Sequence, residues 1–284
     1  MRDYRKFGEE QRKRYTRREK IPSGGWGVGA FLVCLVCIVL FAQPCHAQVS
    51  KKFKSTSWGQ TNWGYYYRPE TPGKYPVVVF FHGSGEVGSD SLAARSLLKL
   101  GPLAYIKAGW KPNLVIYAIQ VSYWSPAPDL CKYILDTDPD IFPFWDGVNV
   151  LWTGLSAGGQ RVLEAMALKY PGSFVPMSPA GIDFSRIDLS RPYRIWDFHG
   201  DKDNICPYKY SVDLINLLNS TFPGSAKLTT YAGGHDSWQT FYDPVYKNPV
   251  SIYEFGSTNA SPPGKTVLVT ITVYSDGTTQ IKNN

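Results

Sequence analysis

A chain of 284 residues, 43% hydrophobic and 15% aromatic, carries enough apolar material for one sizeable core, which excludes a disordered or fibrous polypeptide. Thirty Lys and Arg against 23 Asp and Glu give a formal net charge of +7, but the excess sits near the start. Residues 1–47 hold nine of the basic and four of the acidic residues, so the remainder carries 21 against 19, a net +2, with no Lys/Arg stripe of the kind nucleic acid requires.

The first element is a leader. Met1 to Lys20 is dense in Arg and Lys, Val28 to Ala42 is an uncharged apolar run, and Cys45-His46-Ala47 places small residues around a cleavage position. That order predicts a signal peptide over 1–47 and a secreted or periplasmic protein. The alternative is an uncleaved anchor, since the run is close to the roughly 17 residues a membrane span needs; only in that case is a membrane partner expected. Cys34, Cys37 and Cys45 belong to the leader, which leaves Cys131 and Cys206 either bridged or packed as separate buried thiols, in a spacing unlike a metal site.

From 48 to 260 a single catalytic domain is expected. Behind a Trp- and Tyr-rich start come short continuous apolar runs: Tyr75 to Phe81, Leu114 to Val121, Val148 to Thr153, Phe174 to Met177, Tyr193 to Phe198 and Lys227 to Tyr231. Such runs suit strands buried on both faces. Helical stretches fall between them at Ser91 to Lys99, Gly159 to Tyr170 and Pro207 to Leu218, so the fold class is α/β, a mostly parallel, doubly wound sheet flanked by helices. Ser125 to Gly147, rich in Pro and Asp, reads as a long excursion over the sheet. After Ser261-Pro262-Pro263-Gly264, alternation over Thr266 to Tyr274 and a turn at Ser275-Asp276-Gly277 predict a β-hairpin or linker stump over 261–284.

The strand at Val148 to Thr153 runs into Gly154-Leu155-Ser156-Ala157-Gly158, a G-x-S-x-G with a helix after it. This strand-turn-helix context makes Ser156 a candidate nucleophile, exposed on a tight turn whose neighbours must be glycine. A nucleophilic serine needs a base, and beyond the leader there are only His82, His199 and His235. His82 opens His82-Gly83-Ser84-Gly85-Glu86, whose backbone amides suit an oxyanion hole; Ser84 N–H and Ala157 N–H are the two candidate donors. The rings of His82 and His199 are expected to hold loops by hydrogen bonding. His235, in a glycine-rich loop after the last core strand, is the candidate base. An acid should follow the preceding strand, where Asp201 and Asp203 compete in His199-Gly200-Asp201-Lys202-Asp203.

These motifs resemble the α/β-hydrolase superfamily, and more closely the secreted esterases related to poly(3-hydroxybutyrate) depolymerases, feruloyl esterases and dienelactone hydrolases. The likeness covers Trp63 to Tyr242 and rests on H-G-S-G-E, Gly109-Trp110 before a strand ending at Gln120, G-L-S-A-G-G, Ser178-Pro179-Ala180-Gly181, H-G-D-K-D and G-G-H-D-S-W. It implies an α/β-hydrolase fold, selects Asp203 as the acid through the H-G-x-x-D-x-x-x-P pattern, and leaves Asp201 to shape the turn. Val87 and Ile119 stand where many relatives carry Arg and Pro. The interval from Ser156 to Asp203 must hold two strands and is too short for a large lid, so an open cleft is expected.

The reaction these residues imply is ester hydrolysis through an acyl-enzyme on Ser156, with no cofactor and no metal. The substrate is a small-molecule or polymer ester, with Trp124, Trp145, Trp152 and Trp238 as aromatics for a cleft or a core. A secreted serine peptidase or amidase, and a non-catalytic binding protein on the same fold, are the competing readings.

Overall fold

The computed structural model describes residues 49–55, 60–121, 126–236, 238–258, 269–273 and 279–283. The leader expected over residues 1–47 with its cleavage position, Trp58, Trp124 and much of the tail lie outside them. Among the described residues ten strands run in chain order: β1 Val49–Ser55, β2 Gln60–Tyr67, β3 Tyr75–Phe81, β4 Val115–Ile119, β5 Trp145–Leu155, β6 Ser173–Met177, β7 Arg194–Gly200, β8 Ala226–Tyr231, and a separate antiparallel pair, β9 Val269–Val273 with β10 Thr279–Asn283. The main sheet has the order β1-β2-β4-β3-β5-β6-β7-β8. β1 and β2 pair antiparallel at one edge, and β3 to β8 are parallel.

The continuous apolar runs have their cause in this arrangement, because alternate residues of each parallel strand enter opposite cores. Val77, Val79 and Phe81 of β3 belong to one cluster, which includes the helices α2 Ala127–Thr137, α3 Ala157–Ala167 and α4 Lys209–Thr221. Val78 and Phe80 point into the other, beside α1 Gly101–Lys107, α5 Trp238–Tyr242 and α6 Ile252–Ser257. With both faces covered, the carboxyl ends of the parallel strands are left to carry a site.

Two segments depart from the sequence reading. The single helix expected over Ser91 to Lys99 is instead a 3-10 segment Ala93–Leu98 followed by α1. The Asp90 carboxylate caps the first part by accepting from Leu92 and Ala93 N–H. Pro102 cannot donate to the preceding turn, and Gly101 takes φ +67 where a Cβ would overlap the Phe80 ring, so the chain must restart. The excursion from Ser125 to Gly147 contains α2, whose Leu130, Cys131, Ile134 and Leu135 are buried at helical spacing beneath two N-terminal prolines. Cys131 and Cys206 are separate buried thiols.

Candidate active site

Ser156 sits between the end of β5 and the start of α3 with φ 55 and ψ −119, a backbone conformation that costs a non-glycine residue energy. Its N–H donates to Met177 O at 2.9 Å and its carbonyl accepts from Gln160 N at 3.1 Å, which locks the turn to β6 and to the helix. The flanking glycines are steric requirements. A Cβ on Gly154 would lie 2.6 Å from Gly158 O, and one on Gly158 would overlap the Phe81 carbonyl.

His235, in the loop after β8, brings Nε2 within 2.9 Å of Ser156 Oγ, and its Nδ1 lies 2.7 Å from Asp203 Oδ2. The Asp203 side chain is fully buried. Burial alone would raise its pKa, but the hydrogen bond from His235 and those from the backbone N–H groups of Cys206 and Ile205 outweigh it and hold the carboxyl below its ordinary range. The backbone bonds, at 2.9 and 2.8 Å, both fall on Oδ1, which leaves Oδ2 for the imidazole. Asp201 instead accepts from Gly233 N–H at 3.1 Å, so it braces the turn between the two loops. Of the two aspartates, Asp203 is the one brought to His235.

Ser84 begins a 3-10 turn, Ser84–Glu86, at the carboxyl end of β3, and Ala157 is the first residue of α3, so its N–H lies outside the intrahelical ladder. The loop carrying Ser84 is pinned by His82. Gly83 O can only accept, so Nδ1 at 2.7 Å carries the proton, and Nε2 accepts from Val121 N–H at 3.1 Å. Complete burial lowers the His82 pKa to about 4, in keeping with a neutral bridging ring. Gln120 adds a bond from Nε2 to Glu86 O at 2.7 Å.

Two contacts at the site were not anticipated from the sequence. The Cys206 thiol reaches Ser156, and burial pushes it up to about 12. His199 Nε2 approaches Asp203 Oδ2 at 3.2 Å and Cys206 O at 3.0 Å, so this ring holds the acid as well as its loop. The i, i+4 spacing of His199 and Asp203 was the available signal. Among the tryptophans, Trp238 stands edge-on to His235 with ring centroids 5.0 Å apart. Trp152 is fully buried against Phe81 and Tyr170, and Trp145 begins β5, at the opposite end of that strand from Ser156. Among the described residues, no group of three His, Cys, Asp or Glu could hold a metal ion, and no helix is long and apolar enough to cross a membrane.

No family sequence model and no curated protein matches the chain. Solved structures do. A thermostable esterase aligns at TM-score 0.55 and 23% identity over 69% of this chain and 60% of that one. An S-formylglutathione hydrolase from Staphylococcus aureus aligns at TM-score 0.51 and 15% identity over 67% of this chain and 92% of its own. A dipeptidyl aminopeptidase IV from Bacteroides ovatus aligns at TM-score 0.52 and 14% identity over 67% of this chain and 33% of its own. The chain has the α/β-hydrolase fold. Within this α/β-hydrolase fold Ser156, Asp203 and His235 follow β5, β7 and β8 in turn, all at the carboxyl edge of the sheet. Between β6 and β7, residues 178–193 contain only the 3-10 turn Phe184–Arg186, so no lid domain is inserted there.

Proposed function

We propose that the protein is a secreted serine hydrolase that cleaves carboxylic esters through an acyl-enzyme on Ser156. The observation that carries this is the unbroken chain from Ser156 Oγ to His235 Nε2 at 2.9 Å and from His235 Nδ1 to Asp203 Oδ2 at 2.7 Å. An ionised Asp203 can only accept, so Nδ1 bears the proton, Nε2 bears the lone pair, and the Ser156 hydroxyl donates to it. Attack of Ser156 Oγ on the ester carbonyl passes that proton to His235. The negative charge formed on the carbonyl oxygen meets the N–H groups of Ser84 and Ala157, and Asp203 stabilises the imidazolium. Collapse expels the alcohol, which takes the proton from His235; a water molecule then repeats the sequence and frees the acid.

Export is supported by the basic-then-apolar leader over 1–47. A polymer or its fragments suit a cleft without a lid domain and with Trp238 beside the base. The test is turnover of short- and long-chain p-nitrophenyl esters, feruloyl esters and a peptide amide by the chain from Gln48, beside its Ser156→Ala variant. Ester cleavage lost in the variant supports the reading. Cleavage of the amide alone would replace esterase with peptidase, and cleavage of neither would favour a binding protein.

A further inference from the structure

Behind Asp203 the protein interior holds polar groups that the triad does not use. His199 lies on β7 and faces α4, as does Asp197 two residues earlier, and Ser211 projects from α4 between them; all three are fully buried. The ring of His199 fixes the sense of every bond here. Its Nε2 faces Cys206 O at 3.0 Å and Asp203 Oδ2 at 3.2 Å, both acceptors, so Nε2 carries the proton. Its Nδ1, 2.7 Å from Ser211 Oγ, is then the acceptor, and the Ser211 hydroxyl must donate to it. The Ser211 oxygen is left able to accept. Asp197 has neither carboxyl oxygen in a hydrogen bond of ordinary geometry, although the Ser211 hydroxyl and the Phe198 N–H are close enough to act on it.

We propose that Asp197, Ser211 and His199 form a buried hydrogen-bond relay ending on Asp203, which adjusts how readily His235 accepts the Ser156 proton. In one state the protonated Asp197 carboxyl donates to Ser211, Ser211 to His199 Nδ1, and His199 Nε2–H to Asp203. In the other, Asp197 has released its proton to solvent, the Ser211 hydroxyl turns to the carboxylate, and a negative charge stands one relay behind the triad. Burial pushes the Asp197 carboxyl up to about 7 and lowers the His199 pKa, which places the switch near neutrality with the ring uncharged. Asp197 is faced by the Ser211 hydroxyl of α4 and the Phe198 N–H of β7, with no charged group acting on it among the described residues, and His199 is faced by Asp203 and His235 from the loops and by the Tyr208 ring, edge-on at 5.7 Å, at the start of α4. Lys209 and Asp213 of α4 pair with each other at 2.6 Å on the outside. Asp197, Ser211 and His199 are positioning residues, since none of them touches Ser156.

The proposal rests on the Ser156, His235, Asp203 reading, so its test includes a measurement that needs no turnover. In the 15N-labelled wild-type chain from Gln48, the His199 Nδ1 resonance is expected to move with a midpoint near pH 7 while Nε2 stays protonated. Asp197→Asn, whose amide reproduces the donating carboxyl, should abolish that movement. It should also turn the acid limb of kcat/KM for p-nitrophenyl acetate into a single-proton curve displaced to lower pH by about one unit, the size of one charge acting across roughly 10 Å at an effective dielectric of about 20. In a Ser211→Ala background the His199 Nδ1 resonance should no longer move near pH 7, because the hydroxyl that turns between Asp197 and the ring is gone. A His199 Nδ1 resonance that is flat from pH 5 to 9 overturns the relay, as does an Asp197→Asn enzyme whose kcat/KM falls equally at every pH. A wild-type chain that cleaves no ester would instead overturn the reading on which the proposal stands, and the resonance would still decide the relay.

Discussion

Replacing Asp203 by Asn is the perturbation whose consequence the geometry specifies most fully. Asp203 Oδ1 accepts from Ile205 and Cys206 N–H at 2.8 and 2.9 Å, so the Asn carbonyl must occupy that position and its NH2 must replace Oδ2. The NH2 then points at His235 Nδ1, 2.7 Å away, and donates to it. His235 is thereby forced into the tautomer with its proton on Nε2, facing Ser156 Oγ, and the serine has no base. Loss of the correct tautomer is worth about 10⁴ in kcat, or about 5 kcal/mol of transition-state stabilisation. His199 Nε2–H also meets a donor where it had Oδ2 at 3.2 Å, but it keeps Cys206 O at 3.0 Å, so stability should fall by only about 1–3 kcal/mol. Turnover of p-nitrophenyl acetate and the urea midpoint, measured on the same preparation with Asp201→Asn beside it, separate the two effects. An Asp203→Asn enzyme within tenfold of wild type, with Asp201→Asn inactive, would refute the assignment of the acid.

Gly158→Ala should destabilise by about 1–3 kcal/mol and lower turnover further than that loss accounts for, because the new Cβ meets the Phe81 and His82 carbonyls and must push the Ser84 loop away from Ser156; a urea melt and kcat check this. Asp197, raised to about 7, stays protonated in the folded chain while the unfolded chain ionises near pH 4, so the folded state binds the extra proton and stability falls as pH rises between the two values. Asp197→Asn removes that fall, and its stability relative to wild type should climb between pH 4 and 7, by about 4 kcal/mol at most at 1.36 kcal/mol per unit, then level off. Urea midpoints across that range that run parallel for the two chains would contradict it. Cys206, whose thiol is pushed up to about 12, and the buried Cys131 should not react with a disulfide reagent at pH 8 in the native chain from Gln48, and both should react once it is unfolded.

What the sequence made legible is what is local. The turn at Ser156 can be read from Gly154 and Gly158 because their crowding is set by residues within the same strand-turn-helix unit and by the adjoining strand. The inner parallel strands can be read because burial on both faces keeps their runs mostly apolar, with Thr153 and Asp197 as buried exceptions. The break at Gly101-Pro102 and the helix α2 were carried by short-range signals, a proline at the start of a new helix and apolar residues at 130, 131, 134 and 135, that competing Pro and Asp residues obscured. The support of Asp203 by His199 had only their i, i+4 spacing as a signal, and that of His199 by Ser211 depends on where α4 packs against β7, which no spacing along the chain encodes. Asp197 was visible as one acid inside the apolar run Tyr193 to Phe198, and only its burial shows that its charge state is in play.

The most direct test of the central claim is intact mass after brief exposure of the chain from Gln48 to a fluorophosphonate ester, which captures a serine only where a neighbouring base activates it. One adduct per chain, mapped by peptide sequencing to Ser156, absent in Ser156→Ala and strongly slowed in His235→Gln, is the predicted result. An unmodified wild-type chain, or an adduct on any other residue, would contradict it.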